Sequence, residues 1–134
     1  MIGLVVITHG RLAGSLLETA EMIVGPTVKT FAVGISRGED IELLRQRLAE
    51  VLGEAGSDGD GCLVMTDLFG GTPANLCAPH IRPLGLEVLT GVNLPMLIKA
   101  ISLRPGADLP DLAQTLKTYG QQSIHVVSDL LKRS

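Results

Sequence analysis

Continuous apolar runs alternate with amphipathic stretches along nearly the whole chain. The first run, IGLVVIT at residues 2–8, is rich in β-branched side chains, which is typical of a strand buried on both faces of a sheet. Residues 28–34, 62–67 and 86–91 are predicted to be the second, third and fourth strands. SIHVV, at residues 123–127, is predicted to be a last, shorter strand.

The stretch after the first strand has the periodicity of a helix. Its apolar residues recur every three or four positions, and Gly25-Pro26 ends the pattern. The face that is predicted to pack inward comprises Leu12, Leu16, Leu17, Ala20, Ile23 and Val24.

Start signals precede the other predicted helices. SRGE, at residues 36–39, has the form of a capping box, in which the serine and glutamate side chains satisfy free backbone N–H groups. Thr72 suits an N-cap with Pro73 in the first helical position, and Asn93 suits the N-cap of the next helix. A further helix is predicted at residues 108–119. The inward stripe after the capping box comprises Ile41, Leu44, Leu48, Val51 and Leu52.

Four strand–helix alternations predict an α/β fold with an open, mainly parallel sheet and helices on both faces. Right-handed crossovers between parallel strands require helices that cover the sheet. The pattern leaves open whether the last strand joins parallel or antiparallel. At 134 residues, the chain is expected to form a single domain over residues 1–134.

Composition excludes several classes of function. The net charge is −3, and Lys132-Arg133 is the only basic pair, so no electrostatic footprint for nucleic acid is present. Aromatic residues make up only 2% of the chain, which removes the usual stacking platforms for bases or a flavin ring. We expect no nucleic-acid partner and no cofactor.

The chain is expected to work in the cytoplasm without inserting into a membrane. No apolar run approaches the roughly 20 residues of a membrane span, and no secretory signal pattern opens the sequence. Cys62 and Cys77 lie in apolar segments and are interpreted as buried thiols. His80 and His125 lack metal-ligand spacing to another histidine or cysteine, so no metal site is expected.

Candidate chemistry gathers where the predicted strands end, because ligands of open parallel sheets bind beyond the carboxyl ends of the strands. His9 follows the first strand and can act as a nucleophile through one ring nitrogen if the other is held protonated. Asp67 ends the third strand and can accept that N–H. Backbone N–H groups of Gly70 and Gly71, with the Thr72 hydroxyl, can hold the oxygens of a phosphoryl group.

Each of these residues also has a structural interpretation. Alone, His9 is more simply a structural or solvated histidine, and Asp67 a cap for the turn before Gly70-Gly71. Their combination at one sheet edge favours a histidine that accepts and passes on a phosphoryl group. The candidate contacts with a partner protein are Arg11, Arg37, Phe69 and Asn93, although the two arginines are more typical of a solvated surface.

Several motifs together resemble the mannose-family EIIA domain of the bacterial phosphoenolpyruvate-dependent sugar phosphotransferase system (PTS). They are THG after the first strand, GRLAGSLLETAEMIVG, SRGED, DLFGGTPAN and GVNLPML. The resemblance runs from residue 1 to about residue 127, and DLFGGTPAN and GVNLPML are its most specific parts.

The resemblance implies a phosphohistidine carrier. The phosphorylated histidine of the family falls on His9, its orienting aspartate on Asp67 and its phosphoryl-binding hydroxyl on Thr72. The family's donor is the phosphocarrier protein HPr, and the acceptor is an EIIB domain. It also implies one antiparallel strand near the C-terminus that is exchanged in a homodimer, for which SIHVV is the candidate.

Two departures keep other roles open. The sequence ends soon after SIHVV without a fused EIIB domain, and Arg11 stands where an apolar or aromatic residue is expected in some members. A free-standing regulatory PTS protein, whose phosphorylation state controls a partner enzyme or regulator, is therefore the main alternative. A dihydroxyacetone-kinase phosphotransfer subunit ranks lower, since a serine after the histidine and a less intact GGTP segment are expected there.

Overall fold

The four main predicted strands lie side by side in one sheet. A computed structural model describes residues 1–68, 70–81 and 85–132. In this part of the chain the sheet has the order β2-β1-β3-β4, and every pairing is parallel. The strands are β1 (Gly3–His9), β2 (Thr30–Ile35), β3 (Cys62–Thr66) and β4 (Leu86–Leu89).

Helices cover both faces of the sheet, as the α/β prediction requires. They are α1 (Leu12–Val24), α2 (Ile41–Ala55), α3 (Thr72–Cys77), α4 (Leu94–Leu103), α5 (Leu109–Gln122) and α6 (Val127–Leu131), with a short 3-10 turn at Ala78–His80. None of the helices in the described ranges is long and apolar enough to cross a membrane.

Alternating side chains of β1 supply two separate hydrophobic cores. Leu4 and Val6 pack with residues of α1, α4 and α5 on one face. Val5 and Ile7 pack with residues of α2 on the other face. All four are fully buried, which confirms that the first apolar run is a strand covered on both sides.

The starts of α2 and α3 differ from the predicted caps. Asp40, not Ser36, is the N-cap of α2, and its side chain accepts hydrogen bonds from the N–H groups of Glu42 and Leu43. Glu39 accepts instead from Ser36 N–H at 2.9 Å, so half of the predicted capping box forms ahead of the helix. Gly71 is the N-cap of α3, which places Thr72 one position inside the helix.

Part of the predicted inward face of α1 is exposed. Ala13 and Ala20 are fully buried against the sheet, whereas Leu12, Ile23 and Val24 remain exposed. The fully buried positions of α1 are therefore occupied by small residues, and apolar side chains at both ends of the helix are exposed.

The predicted last strand does not form within the single chain. Residues 124–126 pair with no described strand, and α6 begins at Val127 inside the SIHVV segment. Val126 nevertheless has extended backbone angles, and Ile124 is 77% exposed. The segment follows α5 and pairs with none of the described strands, so the predicted fifth strand does not form within one copy of the chain.

The strand order creates one switch point. From β1 the chain first adds β2 on one side and then β3 on the other. The connections after β1 and β3 therefore diverge, which opens a crevice at the carboxyl ends of these two neighbouring strands.

Candidate active site

His9 lies at this switch point, as the last residue of β1. In the ladder between β1 and β3, Ile7 pairs with Thr66, the last residue of β3. His9, two residues further along β1, therefore lies just past the end of β3. Asp67 follows Thr66 directly. The two predicted site residues, 58 positions apart in sequence, are thereby brought into contact.

The Asp67 carboxylate binds His9 through both its backbone and its ring. Oδ2 accepts from the His9 backbone N–H at 2.9 Å and lies 2.8 Å from Nδ1 of the ring. Oδ1 accepts from the Leu68 N–H at 2.9 Å. The Asp67 side chain is 11% exposed, whereas the His9 side chain is 48% exposed. The carboxylate is therefore shielded, and the ring that it holds remains accessible.

Asp67 is ionised in this environment. Burial acts to raise its pKa, but the hydrogen bonds from His9 N–H, the His9 ring and Leu68 N–H together outweigh burial and lower the pKa. An ionised carboxylate only accepts hydrogen bonds, so Nδ1 of His9 must carry the proton. In the neutral ring, Nε2 then keeps its lone pair and is the nucleophilic nitrogen.

The GGTP segment lies against the same ring. A Cβ added at Gly71 would be 3.0 Å from His9 Cε1, closer than ordinary packing allows, so the absent side chain lets the backbone approach the ring. Gly70 has φ +80°, a left-handed conformation that favours glycine, and forms the turn before Gly71. Both predicted glycines are therefore placed beside His9 or in the turn that leads to it.

A depression of about 500 Å³ opens beside the imidazole. Its lining combines the His9–Gly10 turn, the loop after β2 and the start of α3, and the residues are His9, Gly10, Ile35, Ser36, Arg37, Gly38 and Thr72. Thr72 and Arg37 thus share one concave surface with the ring, as the prediction for this sheet edge requires. Ile35, Ser36 and Gly38 were not predicted as site residues.

The predicted partner contacts separate into three cases. Arg11 and Arg37 are exposed near His9, and within the described ranges neither guanidinium has a hydrogen bond or an ion pair. Asn93 instead caps α4, accepting from Met96 N–H at 3.0 Å and donating to the Gly120 carbonyl at 3.1 Å, so its side chain is engaged in the fold. Phe69 lies outside the described residues.

Among the described residues, no other histidine is paired with a carboxylate as His9 is with Asp67. Over the described ranges, no group of three or more His, Cys, Asp or Glu side chains is arranged to hold a metal ion. Cys62 and Cys77 are free and buried. Burial raises the pKa of Cys62 to about 12 and that of Cys77 to about 11, so both remain unreactive thiols.

Besides Ser36, sequence reasoning missed a second polar residue beside the site. Thr8 is fully buried next to His9, and its hydroxyl accepts from Ala13 N–H at 2.7 Å. The available signal was a hydroxyl at the last inward position of an otherwise apolar strand.

Comparison with known proteins gives one consistent family. The mannose-type EIIA family model, described as the PTS system fructose IIA component, matches residues 3–117. The PTS system fructose-specific EIIA component of Bacillus subtilis (strain 168) is 34% identical over 134 residues, covering 99% of this chain and 91% of that protein. The PTS system mannose-specific EIIAB component of Escherichia coli (strain K12) is 33% identical over 104 residues, covering 77% of this chain and 32% of that longer protein.

Solved structures agree with the sequence relatives. The mannose/sorbose specific IIA subunit from Enterococcus faecalis superposes with a TM-score of 0.82 at 31% identity, covering 93% of both chains. The phosphotransferase system component EIIA from Streptococcus agalactiae superposes with a TM-score of 0.84 at 27% identity, covering 96% of this chain and 99% of that one. The fold and the resemblance read from the sequence are thereby confirmed, and the chain belongs to the mannose-type EIIA family of the PTS, whose components take part in phosphoryl transfer.

Proposed function

We propose that this protein is a phosphohistidine carrier that accepts a phosphoryl group from HPr on Nε2 of His9 and passes it to an EIIB domain during sugar uptake. The observation that carries the proposal is the 2.8 Å contact between Asp67 and Nδ1, which leaves Nε2 as the free nitrogen of a half-exposed ring. A protein partner has to reach the ring, and a shallow depression permits this where a deep pocket would not.

The transfer forms one N–P bond and breaks another. The Nε2 lone pair attacks phosphorus on the phosphorylated HPr, and the electron pair of the broken N–P bond returns to the donor ring. The Nδ1 proton stays hydrogen-bonded to Asp67, whose negative charge compensates the positive charge that develops on the imidazole. The same steps in reverse, with EIIB as the nucleophile, discharge the ring.

Groups around the depression support a phosphoryl group in transit. We assign the Thr72 hydroxyl and the backbone of Gly70 and Gly71 to its equatorial oxygens, because this segment lies beside the ring. Arg11 and Arg37 are assigned to the docking surface for partner proteins, since both are exposed at its rim. No metal or cofactor is needed for this sequence of steps.

The proposal names the phosphoryl route and not a sugar. The Bacillus subtilis relative is named for fructose and the Escherichia coli relative for mannose. The proposed site contacts only a phosphoryl group and protein partners, so its chemistry is common to both. We place the protein in the cytoplasm, where phosphoenolpyruvate is the source of the phosphoryl group. We also propose that the protein works as a homodimer.

Phosphorylation by purified components tests the assignment. Incubation with phosphoenolpyruvate, enzyme I and HPr should add one acid-labile phosphate per chain, and phosphorus NMR should identify it as an Nε2 adduct. The chain has three histidines, so His80→Ala and His125→Ala serve as matched controls that should be phosphorylated normally. Phosphate accepted by His9→Ala, or none accepted by the unmodified chain, would contradict the proposal.

The regulatory alternative is separated by the second transfer. When the assay is run with labelled phosphoenolpyruvate, the EIIB domain that works with this protein should take the labelled phosphoryl group from His9. A label that stays on His9 while that EIIB domain remains unphosphorylated would favour a protein whose phosphorylation state is itself the output.

A further inference from the structure

Thr8 is a buried hydroxyl between the reacting histidine and the first helix. Its side chain has no solvent exposure. Oγ1 accepts a hydrogen bond from Ala13 N–H at 2.7 Å and donates one to the His9 carbonyl at 3.1 Å. The hydroxyl therefore accepts one hydrogen bond from α1 and donates another to the carbonyl of the peptide between His9 and Gly10.

The hydroxyl replaces a cap that α1 otherwise lacks. Arg11 occupies the N-cap position, and its side chain makes no capping hydrogen bond. Ala13 is the second residue of the helix, and its N–H is one of the groups that a helix start leaves without an intrahelical partner. Thr8 satisfies this N–H from the preceding strand, because side-chain alternation along β1 directs position 8 to the same face as Leu4 and Val6.

The geometry of His9 requires a fixed backbone. One carboxylate oxygen of Asp67 accepts from both the backbone N–H and Nδ1 of the same residue, at 2.9 and 2.8 Å. The two bonds form together only when the peptide and the ring hold one orientation relative to Asp67. Asp67 fixes the N–H side of His9, and Thr8 fixes its carbonyl side.

Building on the proposed function, we propose that Thr8 is a positioning residue that keeps His9 in its Nδ1–H tautomer, with Nε2 free to accept the phosphoryl group. Without the hydroxyl, no side chain is hydrogen-bonded to both the His9 carbonyl and the first turn of α1. The ring then departs from the orientation that serves both bonds to Asp67, and the Nε2–H tautomer, which has no lone pair at the reacting nitrogen, becomes populated.

The competing interpretation is that Thr8 contributes only stability, since a buried N–H without a partner is itself unfavourable. Stability alone would lower the melting temperature without changing the tautomer of the folded protein. The tautomer of His9 is therefore the measurement that separates the two.

The test uses nitrogen-15 NMR of the His9 ring in the full chain, at a pH where the ring is neutral. We expect the wild-type ring to be predominantly Nδ1–H. Thr8→Val, which has the same shape without the hydroxyl, should shift the tautomer ratio toward Nε2–H by about tenfold, the effect of one lost hydrogen bond. It should slow transfer from phosphorylated HPr by a similar factor. Thr8→Ser, which keeps the hydroxyl, should retain the wild-type tautomer and rate.

A folded Thr8→Val protein with the wild-type tautomer ratio would overturn the inference, as would a Thr8→Ser protein that shifts as far as the valine variant. If circular dichroism shows that Thr8→Val does not fold, Thr8→Ala is measured against the same criteria. The tautomer is read without any phosphoryl donor. Failure of this inference is thus distinguishable from failure of the proposed function, which the wild-type phosphorylation assay decides.

Discussion

Asp67 combines three hydrogen bonds with a side chain that is almost fully covered, while the ring it holds stays half exposed. A carboxylate that faced water directly would compete with solvent for the Nδ1 proton. Here solvent reaches the nucleophilic side of the ring and is excluded from the side that fixes the tautomer. This division allows one histidine to be held in a fixed orientation while its ring stays accessible.

Replacing Asp67 by asparagine should slow phosphorylation of His9 by HPr roughly 10- to 100-fold, the loss expected for one hydrogen bond to a charged group. An amide can donate to Nδ1 as well as accept from it, so the tautomer is no longer fixed. The rate is measured with labelled phosphoenolpyruvate, and circular dichroism checks that the variant folds. Transfer at the wild-type rate would remove Asp67 from the mechanism.

The same substitution predicts a pH dependence of stability. Because the pKa of Asp67 is lowered in the folded chain, its carboxylate stabilises the fold above the ordinary carboxyl pKa near ~4, and this contribution is lost as the pH falls through the lowered pKa. The wild type should therefore melt above Asp67→Asn at pH 7, and the difference should shrink below about pH 4. Glu50→Gln, on an exposed position of α2, is the control. A difference that stays constant with pH would contradict this origin.

Gly71 offers a test of how closely the GGTP backbone must approach the ring. Gly71→Ala places a Cβ 3.0 Å from His9 Cε1, so the ring or the GGTP backbone must shift to accommodate it. Since φ at Gly71 is −83°, alanine adds no backbone strain, and we expect slower transfer with little change in melting temperature. Gly14→Ala, in α1, is the matched control, because a Cβ added there meets no atom within 4 Å. This variant should accept the phosphoryl group at the wild-type rate. Unchanged transfer by Gly71→Ala would show that the close approach is dispensable.

At the scale of the elements, the end of α4 is tied to the starts of β1 and β2 by one buried arginine. Arg104 is 3% exposed and donates to the carbonyls of Ile2, Val28 and Lys29. Burial lowers the pKa of Arg104, and in the described part of the chain its Nε has no partner. The guanidinium thus joins the end of α4 to the amino-terminal ends of two strands, whereas the active site lies at their carboxyl ends.

Arg104→Met should lower the free energy of unfolding by about 2 kcal/mol, because losing a buried hydrogen-bond donor costs about 1–3 kcal/mol. The Val28 and Lys29 carbonyls keep the Thr30 hydroxyl and the Leu4 N–H as donors, and removing the buried charge returns part of the cost. Urea denaturation measures the change. Phosphorylation of the folded variant should be unaffected, since the site lies at the other end of the strands. Arg45→Met, on the exposed face of α2, is the control and should change stability little. A stability equal to that of the wild type would mean that the carbonyls find other partners.

At the scale of the whole molecule, the C-terminal segment leaves the described chain with an apolar surface that nothing in it covers. Ile124, Val126, Val127 and Leu130 are all exposed. In the described part of the chain β4 is an end strand of the sheet, and no strand pairs with its outer side. A strand exchange between copies of the chain would require both an extended segment and an unpaired sheet edge.

Light scattering at micromolar concentration should therefore give twice the 14.1 kDa mass of the chain. Ile124→Asp with Val126→Asp should shift the protein toward the monomer, because a carboxylate at either position opposes burial in an interface. Met22→Asp, at a residue that is 85% exposed on α1, is the control for charge on an apolar surface and should leave the mass unchanged. A strictly monomeric wild type would contradict the exchanged strand.

The sequence by itself determined the alternation of strands and helices and the candidate for the reacting group. Periodicity is a local property: IGLVVIT is apolar at every position before Thr8 whichever strands flank it, and Asn93 caps α4 from one residue away. His9 and Asp67 could be named as candidates because both end predicted parallel strands, whose carboxyl ends share one edge.

Only the tertiary structure decided which of these groups meet and how. The order β2-β1-β3-β4 makes β1 and β3 neighbours, and crossover packing sets this order where no local pattern records it. Their contact assigns the proton to Nδ1 and brings Gly71 against the ring. The tertiary structure also leaves residues 124–126 unpaired within one chain. Each of these outcomes depends on distances between segments far apart in sequence, which side-chain patterns do not contain.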